Sequence, residues 1–175
     1  MERTQYKYVE RLIKKSREVL IVSPYIDLYY ANFILHNSKG KKIYIIASSI
    51  DNSAKKILAN GSFPSLSFAL FISFLAASLI LFANGEENIL FVFAMFFLAI
   101  FAIRFKHKRP KNIRLKIPRE FVHAKFYIGD SEVITGSANL TFRGMHSNVE
   151  HIEIRNDPEY VKTMKKEFWK LWKEE

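Results

Sequence analysis

Apolar residues recur at helical spacing from Gln5 to Arg17 and put Val9, Leu12, Ile13 and Ser16 on one face, which predicts an amphipathic helix. Val19–Ser23 is a short apolar run stopped by Pro24 and reads as a buried strand. Tyr25–Leu35 is predicted helical and leads to a turn at Ser38-Lys39-Gly40. Ile43–Ala47 reads as a second buried strand. Strand, helix and strand at this spacing predict a βαβ unit and a partly parallel sheet. Asp51–Leu58 is predicted as a further short helix, with Asp51 or Asn52 as its cap.

The pattern then changes. Phe63–Phe82 is an uncharged run long enough to cross a bilayer as a helix. Asn84–Asn88 is a polar turn holding Glu86 and Glu87, and Ile89–Ile103 is a second, shorter uncharged run. Ten of the chain's 16 phenylalanines fall between Ser62 and Ile103. Lys55 and Lys56 precede the first run, and Arg104, Lys106, Lys108, Arg109, Lys111 and Arg114 follow the second. By the positive-inside rule, a transmembrane hairpin with these flanks leaves both polar segments on the cytoplasmic side and the turn outside. The alternative is a helical hairpin buried in a soluble protein or in a dimer interface. A domain this small has little core in which to hide two such all-round apolar helices.

After the insertion, Ile113–Ile117 alternates apolar with basic residues and is predicted as a strand. Phe121–Ile128 and Val133–Thr135 are predicted to pair as a hairpin about Gly129-Asp130-Ser131-Glu132. Val149–Arg155 is a further predicted strand. Asp157-Pro158 opens a last helix, with Val161, Met164, Phe168, Leu171 and Trp172 on its apolar face.

Composition narrows the chemistry. The 175 residues include no cysteine, which excludes disulfides, thiolate metal sites and cysteine nucleophiles. The formal net charge is +10, and all 27 lysines and arginines lie outside the apolar insertion. So basic a surface favours a polyanionic partner, either nucleic acid or an anionic lipid face; the plainer reading is a generally basic solvated surface. The N-terminal MERTQYKYVERLIKK has no apolar core and is not read as a secretory signal.

One stretch, His123–Asn139, concentrates chemistry. Residues two apart in a strand share a face, so His123 and Lys125 are expected to point one way, while Val122, Ala124, Phe126 and Ile128 point into the core. An imidazole beside an ammonium suits attack on phosphorus: the ring as nucleophile, the lysine neutralising phosphate oxygens. Ser137 and Asn139, again two apart, offer hydroxyl and amide donors for the same phosphate. Glu150 begins the next strand, where a carboxylate can hold the second imidazole nitrogen. Of the other histidines, His36 is placed in a turn, His107 in the basic stretch, His146 in a loop, and His151 on the opposite sheet face from Glu150. No pair has metal-ligand spacing, so neither a metal nor another cofactor is expected.

His123-x-Lys125-x4-Asp130 followed by Gly136-Ser137-x-Asn139 resembles the HKD signature of the phospholipase D superfamily. Asn148-Val149-Glu150 looks like the downstream element that supplies the histidine-orienting acid. The order VLIVSPYI, IYIIAS, then the motif, also resembles that family's half-domain. The resemblance covers most of the chain outside the insertion. It departs from the family pattern in one place: the segment between Asp130 and Gly136 is one residue short.

The resemblance implies an α/β fold, a mixed sheet flanked by helices, here interrupted by a two-helix transmembrane hairpin. Residues 1–61 and 106–175 would form the phospholipase D-like domain and residues 62–105 the hairpin. It implies a phosphodiesterase acting through a phosphohistidine, with His123, Lys125, Asp130, Ser137, Asn139 and Glu150 in the catalytic set and Lys125, Ser137 and Asn139 binding substrate. The family builds one site from two motifs and this chain has one, which suggests a homodimer pairing two copies of His123. The compact nuclease branch of the family is the nearest in kind, so the expected activity is endonuclease-type hydrolysis of nucleic acid by a multi-pass membrane protein, spanning at 63–82 and 89–103. The alternatives are a phospholipid hydrolase or phosphatidyl transferase, and a non-catalytic membrane scaffold with a relict motif.

Overall fold

The computed structural model describes residues 5–60 and 112–174. The chain divides into one unit of residues 1–61 with 109–175 and another of residues 62–108. The expected hairpin at 62–105 therefore lies outside the described residues. Among those described, no helix is long and apolar enough to cross a membrane.

The first unit opens with α1 (Gln5–Lys15), which buries Val9, Leu12 and Ile13 as its periodicity requires. Its C-terminal carbonyls, Ile13 and Lys14, accept hydrogen bonds from the Lys41 ammonium, each at 2.5 Å. A cation at this end of a helix complements both the orphan carbonyls and the dipole. Desolvation holds the Lys41 ammonium below its ordinary pKa, with nearby Asp130 acting in the other direction. β1 (Glu18–Val22) is buried from Val19 onward, and Pro24 ends it by removing a ladder donor. The Tyr25–Leu35 stretch is not helical throughout. Tyr25–Ile26 forms a short strand, β2, and the helix α2 (Leu28–His36) starts only after Asp27, whose carboxylate caps it by accepting from the Tyr30 amide at 3.0 Å.

β3 (Lys42–Ile46) runs parallel to β1, from Glu18 opposite Lys42 to Val22 opposite Ile46, which establishes the βαβ unit. β4 (Ser49–Ile50) pairs with β2 as a small second sheet. α3 (Asn52–Asn60) is capped by Asp51, which accepts from the amides of Ser53 and Ala54 at 2.8 Å. β5 (Ile113–Lys116) adds in parallel to β3. β6 (Phe126–Ile128) and β7 (Val133–Gly136) form the expected hairpin, and β8 (Ile152–Arg155) completes an antiparallel half. Among the described residues the main sheet is six-stranded, in the order β5-β3-β1-β6-β7-β8.

Strand alternation sends side chains to two cores. Val19, Ile21, Ile43 and Ile45 pack with α1, α2 and α3. Leu20, Val22, Ile46, Phe126 and Ile128 pack under the last helix, α4 (Pro158–Lys173), through Val161 and Phe168. Each such aliphatic side chain contributes about 1.5–3 kcal/mol by leaving water. Asp157 caps α4 by accepting from Tyr160, and Lys116 of β5 donates to the carbonyls of Leu171, Trp172 and Glu174 at its other end.

Two predicted strands are shorter than expected. Pairing of β6 begins at Phe126, not Phe121, because its partner β1 stops at Val22 before Ser23-Pro24. Val122 is consequently half-buried and Ala124 is exposed instead of sitting in the core. β8 begins at Ile152, not Val149, which lies in the loop that carries Glu150.

Candidate active site

The register fixes one end of the sheet as the place where the motif gathers. Val22 of β1 faces Phe126 of β6 and Ile46 of β3. His123 and Lys125, just before β6, and Ser137, just after β7, therefore meet at the C-terminal ends of β1 and β3. A parallel pair ending beside the motif is where α/β folds leave a crevice for ligands.

His123 does not lie on a paired strand. Its neighbour Val122 is held instead by Ser48, at the end of β3: the Val122 amide donates to Ser48 Oγ at 2.8 Å and the Ser48 hydroxyl lies 3.1 Å from the Val122 carbonyl. The His123 ring is exposed, with the Phe121 ring 6.2 Å away. Lys125 Nζ lies 3.3 Å from His123 Nε2 and donates to the His123 carbonyl at 2.8 Å. The two side chains lie side by side, although neither residue belongs to a strand. Desolvation lowers the pKa of the Lys125 ammonium, and the Glu150 carboxylate partly offsets this.

On the neighbouring loop, the Ser137 hydroxyl donates to Glu150 Oε2 and accepts from the His151 amide at 3.1 Å. Asn148 Nδ2 donates to Glu150 Oε1 at 3.0 Å. Glu150 is thus engaged by Ser137 and Asn148, not by the imidazole of His123, because the 148–150 loop runs beside the end of β7. Asn139 shares this loop, and its side-chain oxygen is buried without a hydrogen-bond partner.

Residues remote in sequence hold the loop. The buried Tyr127 hydroxyl donates to the Ala138 carbonyl at 2.8 Å, and burial pushes its pKa upward. The Leu140 amide donates to Ser23 Oγ at 2.9 Å, and the Phe142 amide to Asp27 Oδ2 at 2.5 Å. Ser23, Asp27, Ser48 and Tyr127 are positioning residues absent from the motif, whereas Asn148 belongs to its downstream element. A serine before Pro24 and an aspartate before a helix were the only signals for the first two.

Asp130 stands apart. Its carboxylate accepts from the amides of Arg17 and Glu18 at 2.9 and 3.0 Å, at the N-terminal end of β1. This is the end of the sheet opposite His123. Partial burial raises the Asp130 pKa, but the two amides and the charges of Lys165 and Arg17 outweigh it and hold the group below its ordinary 3.8. A lowered carboxylate pKa contributes stability that is full above 3.8 and is lost as pH falls below it. Asp130→Asn should lower stability by about 1 kcal/mol near neutral pH, with the gap to wild type closing in acid, while hydrolytic activity persists. Melting curves across pH with a parallel activity assay check this. An unchanged melt with lost activity would return Asp130 to the reacting group.

His146 is not a simple loop residue. It sits in a π-helical turn, Arg143–Ser147, stacked on Tyr6 and Phe142 at 4.3 and 4.7 Å, with Nε2 3.2 Å from the Tyr30 hydroxyl. Burial and the Glu10 carboxylate push the Tyr30 pKa upward. Among the described residues no three histidine or carboxylate side chains converge as a metal site requires.

A family model described as "Cardiolipin synthase, PLD-like domain" matches residues 94–172. The chain is 42% identical over 55 residues to mitochondrial cardiolipin hydrolase from Mus musculus and 44% identical over 55 residues to that from Xenopus laevis. These segments cover 31% of this chain and 25% and 26% of the two relatives, so the chain matches about a quarter of their length. Among solved structures, Nuc from Salmonella typhimurium, a phospholipase D family member, aligns over 95% of this chain and 85% of its own, with a TM-score of 0.52 and 17% identity. NucT from Helicobacter pylori aligns over 97% and 88%, with a TM-score of 0.55 and 17% identity. The fold is thus that of Nuc and NucT, and the segment carrying His123, Lys125, Ser137, Asn139 and Glu150 resembles the phospholipase D-like domain of the matching family model.

Proposed function

We propose that the protein is a phosphodiesterase in which His123 attacks phosphorus and forms a phosphohistidine. The observation that carries this is the exposed His123–Lys125 pair at the end of the sheet, beside the Ser137–Glu150–Asn148 chain. Lys125 neutralises the phosphate oxygens as charge builds on them. Ser137 and Asn139, on the loop after β7, complete the cradle with a hydroxyl and an amide donor. Water then hydrolyses the phosphohistidine.

A second imidazole is required to protonate the leaving oxygen, and we assign it to His123 of a second copy in a homodimer. Exposed apolar residues support a partner at this end of the sheet: Tyr25 of β2, Tyr29 of α2, and Ile117, Phe121, Phe142 and Val149 from the adjoining segments. Apolar groups gathered on one exposed face mark interaction surfaces.

The substrate reading is nucleic acid, supported by the net charge of +10. A phospholipid is the second reading, supported by the names of the curated relatives and of the matching family. A panel of single-stranded DNA, RNA, cardiolipin and phosphatidylcholine, offered to wild type and His123→Ala, separates them. Cleavage of nucleic acid by wild type alone is expected. Cleavage of lipid alone would reverse the assignment, and identical behaviour of both proteins would leave a scaffold.

The same reading anchors the protein through 63–82 and 89–103 with both flanking segments cytoplasmic. The chain has no cysteine, so Asn84→Cys is a single labelling site. An impermeant maleimide should reach it only from the side opposite the cytoplasm. Labelling from the cytoplasmic side would overturn the orientation.

A further inference from the structure

A cavity of about 310 Å³ lies toward the other end of the sheet, lined by Lys42 and Tyr44 of β3, Arg114 of β5 and the adjoining Asn112. Lys42 and Ile46 bound β3, so the mouth at Lys42 is about 13 Å along the strand from the end that carries His123. The cavity is therefore distinct from the candidate active site.

Its chemistry is cationic and aromatic. The Arg114 guanidinium lies over the Tyr44 ring, 5.6 Å from its centroid, which holds it in place by cation–π attraction. Among the described residues neither Lys42 nor Arg114 has a carboxylate partner. Glu18, beside Lys42 in the β1–β3 register, turns to Lys165 at 3.6 Å. Asn112 is part of the wall, its amide nitrogen committed to the Ser38 carbonyl. A planar guanidinium and an ammonium, both unpaired and sharing one cavity, match a phosphate group.

The surroundings indicate the source of that phosphate. Tyr44 packs edge-on against Trp169 and Trp172, at 4.9 and 5.5 Å, and these are the chain's only tryptophans. Tryptophan and tyrosine beside lysine and arginine is the mixture that settles at a membrane–water interface. In sequence, Asn112 follows the apolar run 89–103 by nine positions.

We propose that the cavity binds the phosphate of an anionic phospholipid headgroup, with Lys42 and Arg114 as the anion-binding pair and Tyr44 as its floor. The proposal rests on the membrane reading of residues 62–103, not on the catalytic one. It gives the anchored domain a lipid-dependent seat, remote from the reacting groups.

The two tryptophans report on the site directly. The full chain in neutral detergent is titrated with short-chain phosphatidylglycerol, short-chain phosphatidylcholine and inorganic phosphate, and tryptophan emission is followed. Saturation by phosphatidylglycerol well below the other two is expected. Lys42→Gln and Arg114→Gln should each raise its half-saturation about tenfold, the loss of one charge-assisted contact, and His123→Ala should leave it unchanged. Inorganic phosphate saturating as readily as phosphatidylglycerol would overturn the lipid assignment. No response, or equal responses from wild type and the double variant, would overturn the site. Phosphodiester hydrolysis by the same variants keeps the two readings apart: Arg114→Gln should retain it, whatever His123→Ala loses.

Discussion

His123→Ala is expected to lower phosphodiester hydrolysis by on the order of a thousandfold or more without lowering the melting temperature. Removal of a covalent nucleophile typically costs at least this much. The ring is exposed and, among the described residues, its hydrogen-bonding contacts are to Lys125 alone, so truncation leaves no buried orphan there. The same variant tests the shared site. If each centre needs two copies of His123, mixed dimers formed from equal amounts of wild type and variant are inactive, and refolded mixtures keep about one quarter of the activity. Retention of one half would mean that each chain works alone.

Gly136→Ala should damage the protein more broadly. A Cβ at Gly136 would lie 2.1 Å from the His151 carbonyl oxygen and 3.0 Å from Ile152 Cα. Both are backbone atoms, so no side-chain rotation relieves the overlap. The His151 carbonyl also accepts the Ser137 amide at 3.0 Å, and the next residue back is Glu150, the partner of the Ser137 hydroxyl. Pushing β8 from β7 therefore loosens the phosphate cradle as well as the sheet. Backbone overpacking of this kind costs about 3 kcal/mol or more, a fall of roughly 10 °C in melting temperature for a chain of this size. Gly40→Ala is the control. Gly40 has φ 74 with nothing near its missing Cβ, so the cost is conformational only, about 1 kcal/mol, with activity kept. A Gly136→Ala protein that melts like wild type would show that β7 and β8 are not so closely apposed.

The central strands were legible because they are buried on both faces. VLIV and IYII admit no helical or alternating period, and Pro24 and Gly40 mark their limits. The motif was legible as chemistry, and the fold brings five of its six candidate residues to one end of the sheet. The sixth, Asp130, shows what spacing leaves out: seven residues from His123, it lies across the sheet, where only the paired β1 and β6 reveal the amides it binds. Ser48, Ser23 and Tyr127 were not legible, because a lone hydroxyl carries no sign of a partner many residues away. The extent of β6 depended on where its neighbour stopped, a tertiary fact that no local pattern encodes. His146 looked like a loop residue because its stacking partners, Tyr6, Tyr30 and Phe142, come from three separate segments.

The phosphohistidine itself is the most direct test. Wild type is mixed with the generic phosphodiester bis(p-nitrophenyl) phosphate, quenched with denaturant at neutral to alkaline pH, digested and read by mass spectrometry. The account predicts a p-nitrophenyl phosphoryl adduct on the peptide carrying His123, absent from His123→Ala and lost on acidification. Turnover with no adduct on His123, or with the adduct on Ser137 or Lys125, would contradict it.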